Sequence, residues 1–237
     1  MNIHLVRHGQ AGTRRDYDVL SGLGCEQSTL LGRYLDSGDL RFACWFAGGL
    51  RRQQETAQLA GIEQKEAVAA TKVVESWNEF DLDAVYEGIG PQLAMRNPEF
   101  RTHWQTVKTL VELHGHNEAA LVNRRWSPAD EMIVRAWLQG DCRYDGESWV
   151  DFRERIRGAL QDLLKSGLDS AVVFTSATPI AICVGEALGL PDIEIFQLAG
   201  ALMNTSYTEL RWRHNKLRMF SFNNVPHLID AALRTHR

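Results

Sequence analysis

Four cysteines are scattered over 237 residues, and none stands in CxxC spacing. Cys25, Cys44, Cys142 and Cys183 each fall in a helical or strand-like stretch, which points to reduced thiols rather than disulfides or a zinc site. His114 and His116, with His103 upstream, have no carboxylate or cysteine at ligand spacing, so no metal is expected. Strong charge of one sign is also missing. A formal charge of −4 gives no general attraction to nucleic acid or to an anionic membrane. Any anion must therefore be met by a local cluster. Long apolar runs are absent too: residues 171–190 are broken by Thr175, Ser176, Thr178, Pro179, Gly185 and Glu186. Arg7 and His8 interrupt the only early apolar run, so no signal peptide is read. The expectation is a cytoplasmic protein with neither membrane nor nucleic-acid partner, its oligomeric state left open. No internal repeat or low-complexity tract appears. At this length, one domain covering 1–237 with an insertion fits better than two domains.

What is present begins with Ile3-His4-Leu5-Val6-Arg7-His8-Gly9-Gln10. The apolar residues read as a short buried strand, and Gly9 turns the chain sharply. An arginine and a histidine thus arrive at the carboxyl end of a strand, the edge where open α/β sheets bind ligands. Arginine is almost never fully buried without a partner, so the stretch asks for an anion.

The Arg-His-Gly triplet behind an N-terminal strand resembles the signature of the histidine phosphatase superfamily, which includes the cofactor-dependent phosphoglycerate mutases. Downstream segments match as well. Leu20, Ser21, Gly24 and Gln27 are similar to the family's Leu-Thr-x-x-Gly-x-x-Gln, with Ser21 as N-cap of a helix running to Gly38. Leu23, Leu30, Leu31, Tyr34 and Leu35 mark its apolar side. A strand over residues 42–47 leads to Gly48-Gly49, where the family has Ser-Pro. A helix from Leu50 to about Gly61 follows, and counting back from Thr56-Ala57 puts Arg52 in the place of the phosphate-binding arginine. Arg14 and Arg15 are either a solvated loop pair or substrate contacts. A strand over residues 67–74 precedes Glu75, Glu79 and Asp81. Of these, Glu79 best fits the family's proton-donating carboxylate.

Residues 88–146 depart from strand-helix alternation and read as a helical insertion, or cap. Helical spacing covers residues 99–113 and 127–138, the latter with Ser127 as N-cap, Pro128 at the first position and Asp130 closing a capping box. Met95, Trp104, Trp126, Met132 and Trp137 are candidates for its apolar faces. Gly146-Glu147-Ser148 is similar to the family's Gly-Glu-Ser and opens a long helix bearing Val150, Ile156, Leu160, Leu163 and Leu164. After a buried strand at residues 171–175, Ser176-Ala177-Thr178 stands where the family has His-Gly-Gly, and Pro179 starts a helix to Leu190. Strands over residues 205–212 and 217–222 flank the turn His214-Asn215-Lys216, and a short terminal helix has Asn223 and His227 near its start.

The resemblance implies an α/β fold: three αβα layers on a mostly parallel sheet, phosphoglycerate mutase-like, with the insertion added. It implies a phosphomonoesterase without a cofactor, acting on a small phosphorylated substrate. His8 would be the nucleophile, forming a phosphohistidine, and Glu79 the proton donor. Arg7, Arg52, Ser176, Thr178 and Gln10 would bind phosphate. Ser176 in place of the second catalytic histidine opens two alternatives, a weakened or inactive member that only binds phosphorylated ligands, and a phosphoglycerate-type mutase.

Overall fold

Strand β1 (Asn2–Arg7) is buried from Ile3 onward, and β4 (Ser170–Thr175) from Ala171 onward. Both read as unbroken apolar runs because a central parallel strand is covered on both faces. They pair in parallel, Ile3 against Ala171 and Arg7 against Thr175. The computed structural model describes residues 1–38, 40–62, 70–117, 120–124 and 126–236, with the side chains of 123 and 124 aside. The chain divides into two compact units. One holds Met1–Ala11, Asp18–Glu79 and Arg155–Arg237, and the other Gly12–Tyr17 and Phe80–Glu154. Among the described residues no helix is long and apolar enough to cross a membrane.

The first unit is α/β, around a six-stranded mixed sheet in the order β3-β2-β4-β1-β5-β6. The remaining strands are β2 (Cys44–Ala47), β3 (Lys72–Val73), β5 (Tyr207–Arg213) and β6 (Lys216–Asn224). β3, β2, β4 and β1 run parallel, while β5 is antiparallel to β1 and to β6. Of the strand expected over residues 67–74, residues 67–69 lie outside the described ones. On one face of the sheet, helices α1 (Gly22–Ser37) and α2 (Arg51–Ala60) bury Leu31, Leu35, Ala57 and Ala60 against Val6, Trp45, Val172 and Phe174. Helix α8 (Ala177–Leu188), with α9 (Asp192–Ala201) beside it, packs against β1, β5 and β6. Alternation puts Ile3, Leu5, Ala171 and Val173 opposite the first set, and all four are fully buried. Burying one such side chain stabilises the fold by about 1.5–3 kcal/mol.

In the second unit, α3 (Leu82–Arg96), α4 (Pro98–His114), α5 (Leu121–Arg124) and α6 (Pro128–Gln139) lead to the first turns of α7 (Trp149–Lys165). The sequence pattern did not reveal α3, since Gly88, Gly90 and Pro91 read as breakers. Asp81 caps it by accepting from the Ala84 N–H at 3.0 Å. Gly90 is needed because Trp104 lies within 3 Å of where its Cβ would be. The capping box of α6 forms: the Asp130 N–H donates to Ser127 Oγ at 3.2 Å, and the Ser127 N–H to Asp130 Oδ2 at 2.7 Å.

Several expected apolar positions are corrected. Met95 is 76% exposed, Trp126 44% and Val150 64%. The core here includes Phe80, Trp137, Trp149 and Phe152 together with Ile89, Phe100 and Ile133, and Phe80 stacks on Trp137 at 4.7 Å between centroids. Near the chain's end, Asn223 belongs to β6 rather than to a terminal helix, which shrinks to one 3₁₀ turn, Ala231–Leu233. Helix α8 begins at Ala177 rather than at Pro179, because Ser176 already has the extended backbone of an N-cap.

Arg14 is neither solvated nor set out for substrate. It donates to both carboxylate oxygens of buried Asp130, to Oδ1 at 3.0 Å, and to the Val122 carbonyl at 2.8 Å. Tyr86 also donates to Asp130 Oδ1, at 2.9 Å. Burial alone would raise the Asp130 carboxyl, but the Arg14 guanidinium outweighs it and holds the pKa below the usual carboxylate value. Removing one partner of such a pair leaves an uncompensated buried charge. Arg14→Ala is therefore expected to destabilise the protein by about 3 kcal/mol in urea unfolding. A loss under ~1 kcal/mol would mean that Asp130 is adequately served by Tyr86 and Ser127.

Candidate active site

The carboxyl ends of four adjacent parallel strands bring the predicted residues together. His8 follows β1, and its N–H donates to the Thr175 carbonyl at 2.9 Å. Ser176, next after that carbonyl, follows β4. Arg52 comes one residue into α2, behind β2, where the Gly48 N–H bonds the Phe174 carbonyl at 3.0 Å. Glu79 comes from the segment after β3. Sequence neighbours do not make this site; parallel pairing does.

The loop after His8 is clamped tightly enough to explain two glycines of the sequence pattern. A Cβ on Gly9 would lie 2.5 Å from the Gly24 carbonyl, and one on Gly24 would lie 2.1 Å from that of Gln10. The Gly9 N–H donates to Thr56 Oγ1 at 3.0 Å, and the Gln10 N–H to Gln27 Oε1 at 2.9 Å. From the other side the Asn204 amide donates to the His8 carbonyl at 3.1 Å, and the Thr205 N–H donates to the Arg7 carbonyl at 3.0 Å. Asn204 and Thr205 were not picked out from sequence. Only Thr205's positive φ of 55°, invisible in the residue letters, marks the turn.

His8 is 2% exposed. Its Nδ1 lies 2.7 Å from the Gly9 carbonyl, which can only accept, so Nδ1 carries the proton. Arg52 Nε approaches His8 Nε2 at 3.3 Å, and a guanidinium can only donate. The outcome is a neutral imidazole whose unprotonated Nε2 accepts from Arg52 Nε. Burial first, then the charges of Arg52 and Arg7, push the His8 pKa well below the ordinary imidazole value, against a smaller upward pull from the Gly9 carbonyl.

Arg52, 6% exposed, also donates from Nη1 to Asp18 Oδ1 at 2.9 Å. Arg7 turns Nη1 to the Leu202 carbonyl and to the His236 carbonyl, the latter at 3.0 Å. Ser176 is buried, and its Oγ accepts from Gln53 Nε2 at 2.8 Å. Gln53 also reaches the Trp77 carbonyl at 3.3 Å. Ser176 makes no side-chain cap bond to α8. Gln53 was not predicted; a glutamine in a helix carries no signal until that helix is docked.

The Thr178 backbone N–H, in the first turn of α8, donates to Glu79 Oε2 at 3.1 Å. That carboxylate is thereby fixed at the helix end where the dipole favours negative charge. Arg155 holds the segment before it by donating to the Ser76 and Asn78 carbonyls at 3.0 and 3.1 Å. Of the two competing carboxylates, Asp81 is occupied in capping α3, and Glu75 is exposed in a 3₁₀ turn. Gln10 has its side-chain oxygen engaged by Ser21 Oγ at 3.0 Å. Among the described residues no group of three His, Cys, Asp or Glu side chains is placed to hold a metal ion.

Buried histidines make the fold sensitive to acid. His227 Nε2 meets Thr205 Oγ1 at 2.9 Å, its Nδ1 has no partner, and burial pushes its pKa down to about 4. The unfolded chain takes up a proton near pH 6.5 that the folded one refuses, so stability falls as pH drops from about 6.5 to 4. His227 alone accounts for about 2 kcal/mol by pH 5. Thermal melts should therefore show a smaller drop from pH 7 to pH 5 in His227→Gln, which keeps a donor for Thr205. An equal drop in both proteins would assign the acid sensitivity elsewhere.

The sequence profile of the histidine phosphatase superfamily (branch 1) matches residues 3–141 and 131–225. The fold is similar to that of a phosphoserine phosphatase variant from Entamoeba histolytica in complex with phosphoserine: TM-score 0.61, 17% identity, 96% of this chain and 99% of that one. It is similar also to a mycobacterial glucosyl-3-phosphoglycerate phosphatase in complex with inorganic phosphate, with TM-score 0.57, 21% identity, and 95% and 98% covered. In sequence, 58 residues are 40% identical to the mitochondrial serine/threonine-protein phosphatase Pgam5 of Caenorhabditis briggsae, spanning 24% of this chain and 20% of that protein.

Proposed function

This chain belongs to the histidine phosphatase superfamily, and from that premise we propose that it hydrolyses a phosphomonoester through a phosphohistidine on His8. The observation that carries the reading is the unprotonated Nε2 of a neutral, buried His8, which accepts from the Arg52 guanidinium at 3.3 Å. A nucleophile must be unprotonated at the attacking atom, and here Nδ1 is the protonated nitrogen.

In the first step Nε2 attacks phosphorus in line. The P–N bond forms as the P–O bond to the leaving group breaks, and Glu79, in its protonated form, gives that oxygen its proton. Arg52 and Arg7 supply positive charge for the equatorial oxygens, where planar guanidinium groups suit phosphate. Ser176, held by Gln53, donates its hydroxyl proton, and N–H groups of the first turn of α8 add their dipoles. Thr178 marks that turn. In the second step water attacks phosphorus, the P–N bond breaks, and Glu79 takes up the water's proton.

Ser176 supplies a hydrogen bond but not the charge of the family's second histidine. Losing one preorganised donor typically costs about 2.7–4 kcal/mol of transition-state stabilisation. Enzymes supply roughly 8–23 kcal/mol in all. A slowed enzyme fits this arithmetic better than a dead one. The same neutral Ser176 favours, as the second reading, a protein that binds phosphorylated ligands without turning them over. Hydrolysis of an aryl phosphate by the purified protein, lost in His8→Ala, separates the two. Equal rates in both proteins would rule out the phosphohistidine reading.

A further inference from the structure

Asp18 sits where an oxyanion would be expected. Its Oδ1 accepts from Arg52 Nη1 at 2.9 Å, and its Oδ2 accepts from the Arg51 N–H, the first backbone donor of α2, at 3.1 Å. One guanidinium N–H and one helix N-terminal N–H are the donor pair that phosphate sites use. Helix α2 has no acidic residue in its first turn, and Leu50 at its N-cap offers no side-chain acceptor, so Asp18 is an acid brought in from another segment. The segment bearing it is pinned alongside: the Leu20 N–H donates to Glu55 Oε2 at 3.0 Å, and Glu55 Oε1 accepts from Arg51 Nε at 2.7 Å.

The pair is asymmetric in burial. The Asp18 side chain is 50% exposed, and that of Arg52 only 7%. Arg52 needs an anion whether or not a ligand is bound, since a buried unpaired guanidinium is costly. Asp18 needs Arg52 far less, because its carboxylate can turn into water with most of its hydration restored.

We propose that Asp18 is a built-in competitor for the phosphate site, a carboxylate that holds Arg52 until a phosphoryl group displaces it. This rests on the assignment of Arg52 as a phosphate ligand. Binding is then an exchange of one anion for another at the same two N–H groups. Every anion that must displace Asp18 loses the same factor in apparent affinity, so only a ligand that engages both N–H groups strongly, as a dianionic phosphate monoester does, occupies the site. When inorganic phosphate is the product, the returning carboxylate helps to expel it. Asp18 thus sets how tightly an anion must bind to enter, without touching the reacting atoms.

Two variants test it, Asp18→Asn, which keeps shape and one acceptor, and Asp18→Ala, which keeps neither. Calorimetric titration with inorganic phosphate at pH 7.5 should show both binding about three- to tenfold more tightly than wild type. A monoanionic aryl sulfate or phosphodiester should gain by the same factor, because each anion displaces the same carboxylate. Unchanged or weaker phosphate binding in both variants would overturn the proposal and leave Asp18 as a brace for Arg52. The phosphatase reading fails separately, through Arg52→Ala. If that variant binds phosphate as wild type does, the arginine is misassigned and both ideas go. If it loses binding while the Asp18 variants match wild type, only the competitor is lost.

Discussion

His8→Ala is expected to lose turnover of an aryl phosphate while keeping its affinity for inorganic phosphate. Without Nε2 no P–N bond can form, so the covalent route disappears rather than slowing. What survives is binding and electrostatic stabilisation, which in other enzymes stripped of their nucleophile leave on the order of 10³–10⁴ over the uncatalysed rate. Arg52, Ser176 and the first turn of α8 remain, and on the proposed assignment they hold phosphate without the imidazole. Mass spectrometry of wild type quenched with substrate at alkaline pH should find one phosphoryl group on His8, acid-labile as a phosphoramidate is. Phosphate retained on the His8→Ala chain, or a phosphoryl group on another residue, would displace His8 from its role. The tautomer argument makes the expectation specific to one ring nitrogen, because the Gly9 carbonyl occupies Nδ1–H.

The second large effect depends on the leaving group. Glu79 faces the first turn of α8 through the Thr178 N–H, and if it is the proton donor its loss should matter most where the departing oxygen most needs a proton. Glu79→Gln keeps the hydrogen-bond geometry but has no proton to transfer. On a simple alkyl phosphate, kcat/KM should fall by about 10²–10⁴. On p-nitrophenyl phosphate, whose leaving group departs readily as an anion, the fall should stay within about tenfold. Equal losses on both substrates would make Glu79 a structural prop for α8. A selective loss in Asp81→Asn instead would mean that the N-cap of α3 had been misjudged as merely structural.

Much of the site could be read from the chain because its residues sit at breaks in strong patterns. A polar Arg7-His8 pair ends an apolar run, and Arg52 opens a helix whose dipole disfavours cations. Such mismatches are visible in one dimension. Gln53 and Asp18 follow the opposite logic. A glutamine inside a helix and an aspartate in a polar loop match their local context completely. They gain meaning only when α2 is docked beside Ser176 and when the chain returns at residue 18 to the start of α2. Arg14 is an intermediate case. Its charge drew attention, but its partner Asp130 lies more than a hundred residues away, so pairing could not be told from solvation.

The sequence by itself determined the buried strands, the N-caps Ser21 and Ser127 and the turn at Gly9, because periodicity, capping chemistry and the missing Cβ act over a few residues. It also determined which side chains were out of place in an apolar frame. Only the tertiary structure decided which nitrogen of His8 carries the proton, what Arg52 and Arg7 bond to, and that α3 runs through Pro91. Protonation, ion pairing and burial are set by atoms that the chain brings from far away, and no local pattern encodes them.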